Sequence, residues 1–298
     1  MDHEKAPSPP SGCSEDWVHA NGLRIRFWHA GSGPALVLVH GLLGYSFSWR
    51  SVIPRLARNA EVFAPDLPGA GFSECDPGLD CHLSSAAGRL LDFLDAAGIT
   101  TCDLVGSSYG GSTAMMFAGL APARVRRLVL VSPANPWSGF GRFRLALLQT
   151  PVAAKLFPPL ARPLRRGHDF FLRRLYGDPS LLTREVCDAY SSPMRRKGVL
   201  EHAVKIVRNW DADMQELTEI MPQISMIPTL LVWGSKDRAV DPASAATLSR
   251  NFKMFRTAVM QGAGHLPYEE RPEEFVRIVT DFLTPEPVRT SSSAREVT

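Results

Sequence analysis

DLVGSSYGGSTAMM, residues 103–116, is the stretch on which the reading of this chain turns. It begins as an apolar run, passes through two serines and three glycines, and continues in small residues suited to a helix. The structural reading is a glycine-softened turn that starts a helix. The chemical reading is a strand–turn–helix that lifts a hydroxyl out of the fold. Gly106-Ser107-Ser108-Tyr109-Gly110 fits the G-x-S-x-G pattern of such a turn. In that pattern Ser108 is the presented residue. Ser107 precedes it, so its side chain is expected to point elsewhere.

Working outward, short apolar runs alternate with helical patterns. ALVLVHG (35–41), EVFAPD (61–66), CDLVGS (102–107), RRLVLVSP (126–133), TLLVWG (229–234) and RTAVMQG (256–262) have strand length. Continuous apolar runs of this kind suit strands buried on both faces. LRIRFWHAG alternates like an exposed edge strand or hairpin. Helices are expected over roughly 83–97, 109–120, 242–251 and 272–283, with Pro242 and Pro272 in first turns and Asp241 as an N-cap. Alternating strand and helix implies an α/β fold with a mostly parallel sheet.

Ligands of such sheets bind beyond the carboxyl ends of the strands. Those ends carry His40-Gly41, Ser108, Asp237 and His265 in turn. A serine, an aspartate and a histidine in that chain order suit nucleophilic catalysis. The blocks HGLLG, PDLPGAGFS, GSSYGG, WGSKD and GAGHLPYEERP occur in sequence over about residues 17–284. On these blocks the chain resembles the α/β-hydrolase superfamily. Each is weak alone, and their joint occurrence in strand context is strong.

The resemblance implies a mostly parallel central sheet flanked by helices, with an inserted helical cap. Ser108 is the candidate nucleophile, and its hydroxyl needs a base to accept its proton. His265 is that candidate base, since imidazole titrates near neutral pH. Asp237 would fix the imidazole tautomer. The resemblance also implies an oxyanion hole made by the backbone N–H groups of Leu42 and Tyr109. The Tyr109 donor follows independently from its place at a helix N-terminus.

Asp241 rivals Asp237, but Asp241-Pro242 reads as a helix cap. Asn135 offers no carboxylate after the preceding strand. His40 reads as support for its turn, and Asp66 as a loop organiser. The histidines at 3, 29, 82, 168 and 202 lack ligand spacing and read as surface or packing groups. GFGRF at 139–143 lacks the strand–helix context of a dinucleotide site. No metal or cofactor is expected.

The sequence predicts a core over 17–134 and 221–284, a helical cap over 135–220, and disordered tails at 1–16 and 285–298. The 298 residues are 45% hydrophobic and 21% charged, enough for a sizeable core. A net charge of +3 does not argue for nucleic acid. The N-terminus has no secretory pattern, so a cytoplasmic location is expected. Five cysteines without CxxC spacing fit reduced thiols.

Residues 136–215 hold 14 Lys+Arg against 7 Asp+Glu. The arginine pairs at 165–166, 173–174 and 195–196 read as a solvated helix face. LLQTPVAAKLFPPLARPLRRG mixes apolar and basic residues in a way that suits an interfacial helix, but its prolines argue against one long helix, and lid and core packing is the favoured reading over membrane contact. Trp137, Phe140, Phe143, Phe170 and Phe171 are candidates for lining a pocket or for packing the cap onto the core.

The expected activity is hydrolysis of small-molecule carboxylic esters through Ser108, Asp237 and His265, by way of an acyl-enzyme. The alternatives are a C–C bond hydrolase, a lactonase, or a non-catalytic ligand receptor on the same fold. Resemblance to the C–C hydrolases is weakened at Leu266, where they commonly carry an aromatic residue. Oligomeric state is not legible.

Overall fold

The structure, a computed structural model, describes residues 6–139 and 142–284. Its strands are β1 (Ser14–Ala20), β2 (Leu23–Ala30), β3 (Ala35–Val39), β4 (Glu61–Pro65), β5 (Cys102–Ser107), β6 (Val125–Val131), β7 (Thr229–Gly234) and β8 (Phe255–Met260). They form one sheet in the order β1-β2-β4-β3-β5-β6-β7-β8. Both pairings of β2 are antiparallel, and all the others are parallel. The fold is that of an α/β hydrolase.

The continuous apolar runs occupy the centre. Every residue of β5 and β7 is buried, as their unbroken hydrophobicity requires. Helices cover both faces. Leu83–Ala96, Tyr109–Leu120 and the second half of Val199–Ile224 pack one core with Phe93, Phe117 and Leu217. Pro272–Leu283 and the segment from Trp49 to Leu56 pack the other, where Trp49 stacks on Tyr268 at 4.2 Å between centroids. Burying each such side chain contributes about 1.5–3 kcal/mol.

The strand order places the candidate site. Chain order runs from β3 outward to β4, then back across to β5 on the other side of β3. The sheet therefore switches direction between β3 and β5, where Val39 pairs with Gly106. The crevice at such a switch lies over the ends of those two strands. Gly41 and Ser108 both sit there.

Three expectations are corrected. The predicted 1–16 tail contains the start of β1, which pairs with β2 from Ser14↔His29 onward. Residues 1–5 and the 285–298 tail lie outside the described residues. Second, of the two readings of LRIRFWHAG the hairpin holds and the exposed edge does not: β2 pairs antiparallel with β1 from Ala20↔Leu23 to Ser14↔His29, so β1 covers it. Arg26, on β2, is fully buried; its guanidinium reaches Asp66 at 3.2 Å and Glu15 at 2.6 Å. Alternation alone cannot reveal a buried cation whose partners come from elsewhere. Third, the expected 242–251 helix is the shorter Ser244–Ser249. Asp241 lies ahead of it and accepts from the Ala243 N–H at 2.9 Å.

Between β6 and β7 the chain forms the helices Arg142–Gln149, Pro151–Ala161, Arg165–Leu175, Arg184–Arg195 and Val199–Ile224. The predicted boundary at 220/221 falls inside the last, which serves both insertion and core. Among the described residues, no helix is long and apolar enough to cross a membrane. No two of the five cysteines are bridged.

Candidate active site

Ser108 follows the last residue of β5 and precedes the helix Tyr109–Leu120. Its backbone sits at φ 53°, ψ −121°, outside the regions open to an L-residue at no cost. Holding such a conformation costs on the order of 1–3 kcal/mol, which the surroundings must enforce. They do so through hydrogen bonds. Ser108 N–H donates to Val131 O at 2.9 Å, and its carbonyl accepts from Gly111 at 2.9 Å and Ala134 at 3.0 Å. Ser107 is fully buried, whereas Ser108 is partly exposed. The two adjacent serines are therefore not equivalent.

The next strand ends bring the other two candidates to the same rim. His265 Nδ1 and Asp237 Oδ2 are 2.9 Å apart, both side chains almost wholly buried. The other carboxylate oxygen, Oδ1, accepts from Ala239 N–H at 2.8 Å and Val240 N–H at 3.0 Å. Burial alone would raise the Asp237 pKa. The charge and hydrogen bond of His265, with the two backbone donors, overturn that and hold it below the usual value. Asp237 is thus an anion that accepts from Nδ1–H, leaving Nε2 as the basic nitrogen. Asp241 accepts locally from the Ala243 N–H, as a turn residue does.

The turn after β3 faces the serine. A Cβ built on Gly41 would lie 3.1 Å from Ser108 Cβ, so the two backbones are in close approach. Gly44 N–H closes the turn onto Gly41 O at 2.9 Å, and Leu43 takes φ 61° at its third position. His40 holds this turn from beneath. Its Nε2 accepts from Leu67 N–H at 3.0 Å, so Nδ1–H is the donor to Gly41 O at 2.9 Å. Burial depresses its pKa, against smaller opposing effects of Gly41 and Asp66, and it stays neutral. Leu42 lies inside the turn. Tyr109 is the first residue of its helix, so its N–H has no intrahelical acceptor. Asp66 organises the neighbouring loop by accepting from Ser46 and Phe72 N–H at 2.7 and 2.9 Å.

Two residues that the sequence reading missed brace the histidine loop. Glu270 accepts from Gly264 N–H at 2.6 Å, and from Gly177 and Asp178 N–H at 2.9 and 3.0 Å. Glu269 is buried and receives Tyr176 OH at 2.7 Å, Arg50 at 2.6 Å and Tyr190 OH. Gly177 permits the contact, since a Cβ there would sit 2.3 Å from Gly262 O. The only sequence signal was their position just after GAGHLPY, which says nothing about partners near residue 177.

The insertion's aromatics divide. Trp137 packs on the core, whereas Phe170 and Phe171 are exposed and do neither of the things expected of them. Phe140 lies outside the described residues, as does the side chain of Phe143.

Residues 34–272 match the family described as the alpha/beta hydrolase fold. The chain belongs to the α/β-hydrolase family. This α/β hydrolase is 30% identical over 283 residues to an uncharacterized protein of Mycobacterium tuberculosis, covering 92% of this chain and 82% of that one. It is 29% identical to a 2-hydroxy-6-oxo-2,4-heptadienoate hydrolase of Pseudomonas putida, covering 90% and 96%. The solved structure of Cfl2 from Burkholderia cenocepacia superposes with a TM-score of 0.84 at 23% identity, covering 94% and 100%. The family match and these relatives place the chain among hydrolytic enzymes.

Proposed function

We propose that this α/β hydrolase cleaves carboxylic esters of small molecules, with Ser108 as nucleophile, His265 as general base and Asp237 as its partner. The observation that carries the reading is the buried Asp237–His265 contact at 2.9 Å on the same sheet rim as a strained, partly exposed Ser108. In the first half-reaction Ser108 Oγ attacks the ester carbonyl while its proton passes to His265 Nε2. The tetrahedral oxyanion lies against the N–H groups of Leu42 and Tyr109. Collapse breaks the C–O bond, and His265 gives its proton to the departing alcohol. Water then repeats the sequence on the acyl-enzyme, with the proton returned to Ser108. Each oxyanion donor is worth about 3 kcal/mol in such a transition state. The helical insertion acts as the cap that limits water and shapes the substrate.

The test is a series of p-nitrophenyl esters of rising acyl length with wild type, Ser108→Ala and Ser107→Ala. Wild type and Ser107→Ala should hydrolyse them, and Ser108→Ala should lose about a thousandfold or more in kcat. Retained activity in Ser108→Ala with loss in Ser107→Ala would overturn the assignment.

A second reading, C–C bond hydrolysis on the same residues, is supported by the likeness to the Pseudomonas putida hydrolase along 90% of this chain. Turnover of a 2-hydroxy-6-oxo-dienoate in preference to any ester would favour it.

A further inference from the structure

Two helices of the insertion turn the wrong side outward. Along Pro151–Ala161, Val152, Leu156 and Leu160 are 69%, 50% and 63% exposed, while Pro158 is buried. Residues four apart share one face of a helix, so these three form a continuous apolar stripe in solvent. Lys155 lies exposed beside it. The next helix, Arg165–Leu175, buries His168 and Leu172 and leaves Phe170 and Phe171 exposed at 64% and 49%. Arg166, Arg173 and Arg174 are exposed around them, with the Arg174 guanidinium 5.9 Å from the Phe170 ring centre. Of the fifteen large apolar side chains exposed among the described residues, eight lie between Leu147 and Phe171. Over 142–175 the chain has eight arginines and lysines and one acid, Asp169.

We propose that this face is a docking surface for an anionic lipid bilayer. Apolar patches of this extent on a soluble fold mark interaction sites. The chemistry here selects the partner. A stripe of aliphatic and phenyl groups flanked by guanidinium groups matches the acyl–headgroup boundary of an acidic membrane. A second copy would bring the same basic face against itself, and like charges oppose that pairing. The prolines at 158 and 159 do not prevent it, since the helix has only to lie on the surface.

The position of the face has a consequence that rests on the ester-hydrolase reading. Leu175 ends the second of these helices, and its carbonyl receives the backbone N–H of His265 at 2.7 Å. A bilayer held there is joined to the catalytic loop by a single helix. The substrate class this selects is an amphiphilic ester drawn from the membrane.

The full chain is sedimented with vesicles of phosphatidylcholine alone and with about 30% phosphatidylglycerol. Binding should be at least about tenfold stronger to the anionic vesicles and should weaken about tenfold in 0.5 M salt. The double variants Leu156→Ser/Leu160→Ser and Arg173→Gln/Arg174→Gln should each lose about tenfold in vesicle binding. Both should keep wild-type melting temperature and wild-type turnover of a soluble short-chain ester. Absence of binding, binding indifferent to lipid charge, or variants that bind as wild type would each overturn the proposal. So would self-association, measured by sedimentation velocity, that the same variants abolish. Vesicle binding by a chain that cleaves no ester in solution or bilayer would uphold the surface and sink the ester reading alone.

Discussion

The backbone N–H of His265 donates to the carbonyl of Leu175 at 2.7 Å, so the insertion holds the loop that carries the candidate base. Glu270 reinforces the joint from the other side through three backbone N–H groups. Any displacement of residues 175–178 is therefore felt at the imidazole.

The first prediction concerns that brace. Glu270→Gln presents an amide nitrogen where N–H donors already point, and should lower stability by about 1–3 kcal/mol in urea unfolding. It should also reduce kcat several-fold with little change in KM, because His265 loses its position and the substrate contacts remain. An unchanged kcat per folded molecule would show that the brace only stabilises.

A second prediction separates the two aspartates. Asp237→Asn should cost about ten-thousandfold in kcat, since the amide no longer fixes the His265 tautomer. Asp241→Asn should stay within a few-fold of wild type, because its oxygen can still accept from Ala243. Steady-state kinetics on one ester decide between them, and the reverse ranking would exchange their roles.

Acid stability gives a third. His202 is buried, 3.3 Å from the Cys81 sulfur, and burial with nearby Arg89 and Lys205 lowers its pKa to about 4. The unfolded chain takes up this proton near pH 6.5. The neutral ring's contribution is thus complete above about pH 6.5 and is lost as pH falls towards 4, by about 3 kcal/mol. Urea midpoints at pH 7.5 and 4.5 should differ less in His202→Asn than in wild type.

The fourth tests the N-terminal strand. Removing residues 1–16 takes away Glu15 and leaves the fully buried Arg26 with Asp66 as its remaining carboxylate. The expected loss is about 3 kcal/mol, measured by denaturant unfolding. A neutral deletion would mean that Asp66 alone suffices to hold the Arg26 charge.

The central strands were legible because ALVLV and TLLVWG are buried on both faces, and such burial writes itself as unbroken apolarity. The shared rim of the candidates Ser108, Asp237 and His265 was legible for a related reason, since each lies within five residues of the end of a strand that could be read. Arg26, Glu269 and Glu270 were not. Their roles depend on partners far away in the chain, and a charged side chain carries no local sign of which distant groups it will meet. The exposure of Val152, Leu156 and Leu160 was not legible either. Apolar residues four apart are spaced alike on a helix face whether that face is covered or open.

The 26-residue helix Val199–Ile224 bears on how such enzymes exchange parts. Glu201 in its first turn receives Arg162 from the insertion, while Leu217, Met221 and Ile224 at its other end fill the core. Ile220 fills the space that a side chain at Gly119 would need. A chimaera that grafts a relative's specificity elements here cannot be cut at the helix ends without opening a hole beneath the sheet. The workable splice lies within the helix, near Trp210, keeping everything after it from the host.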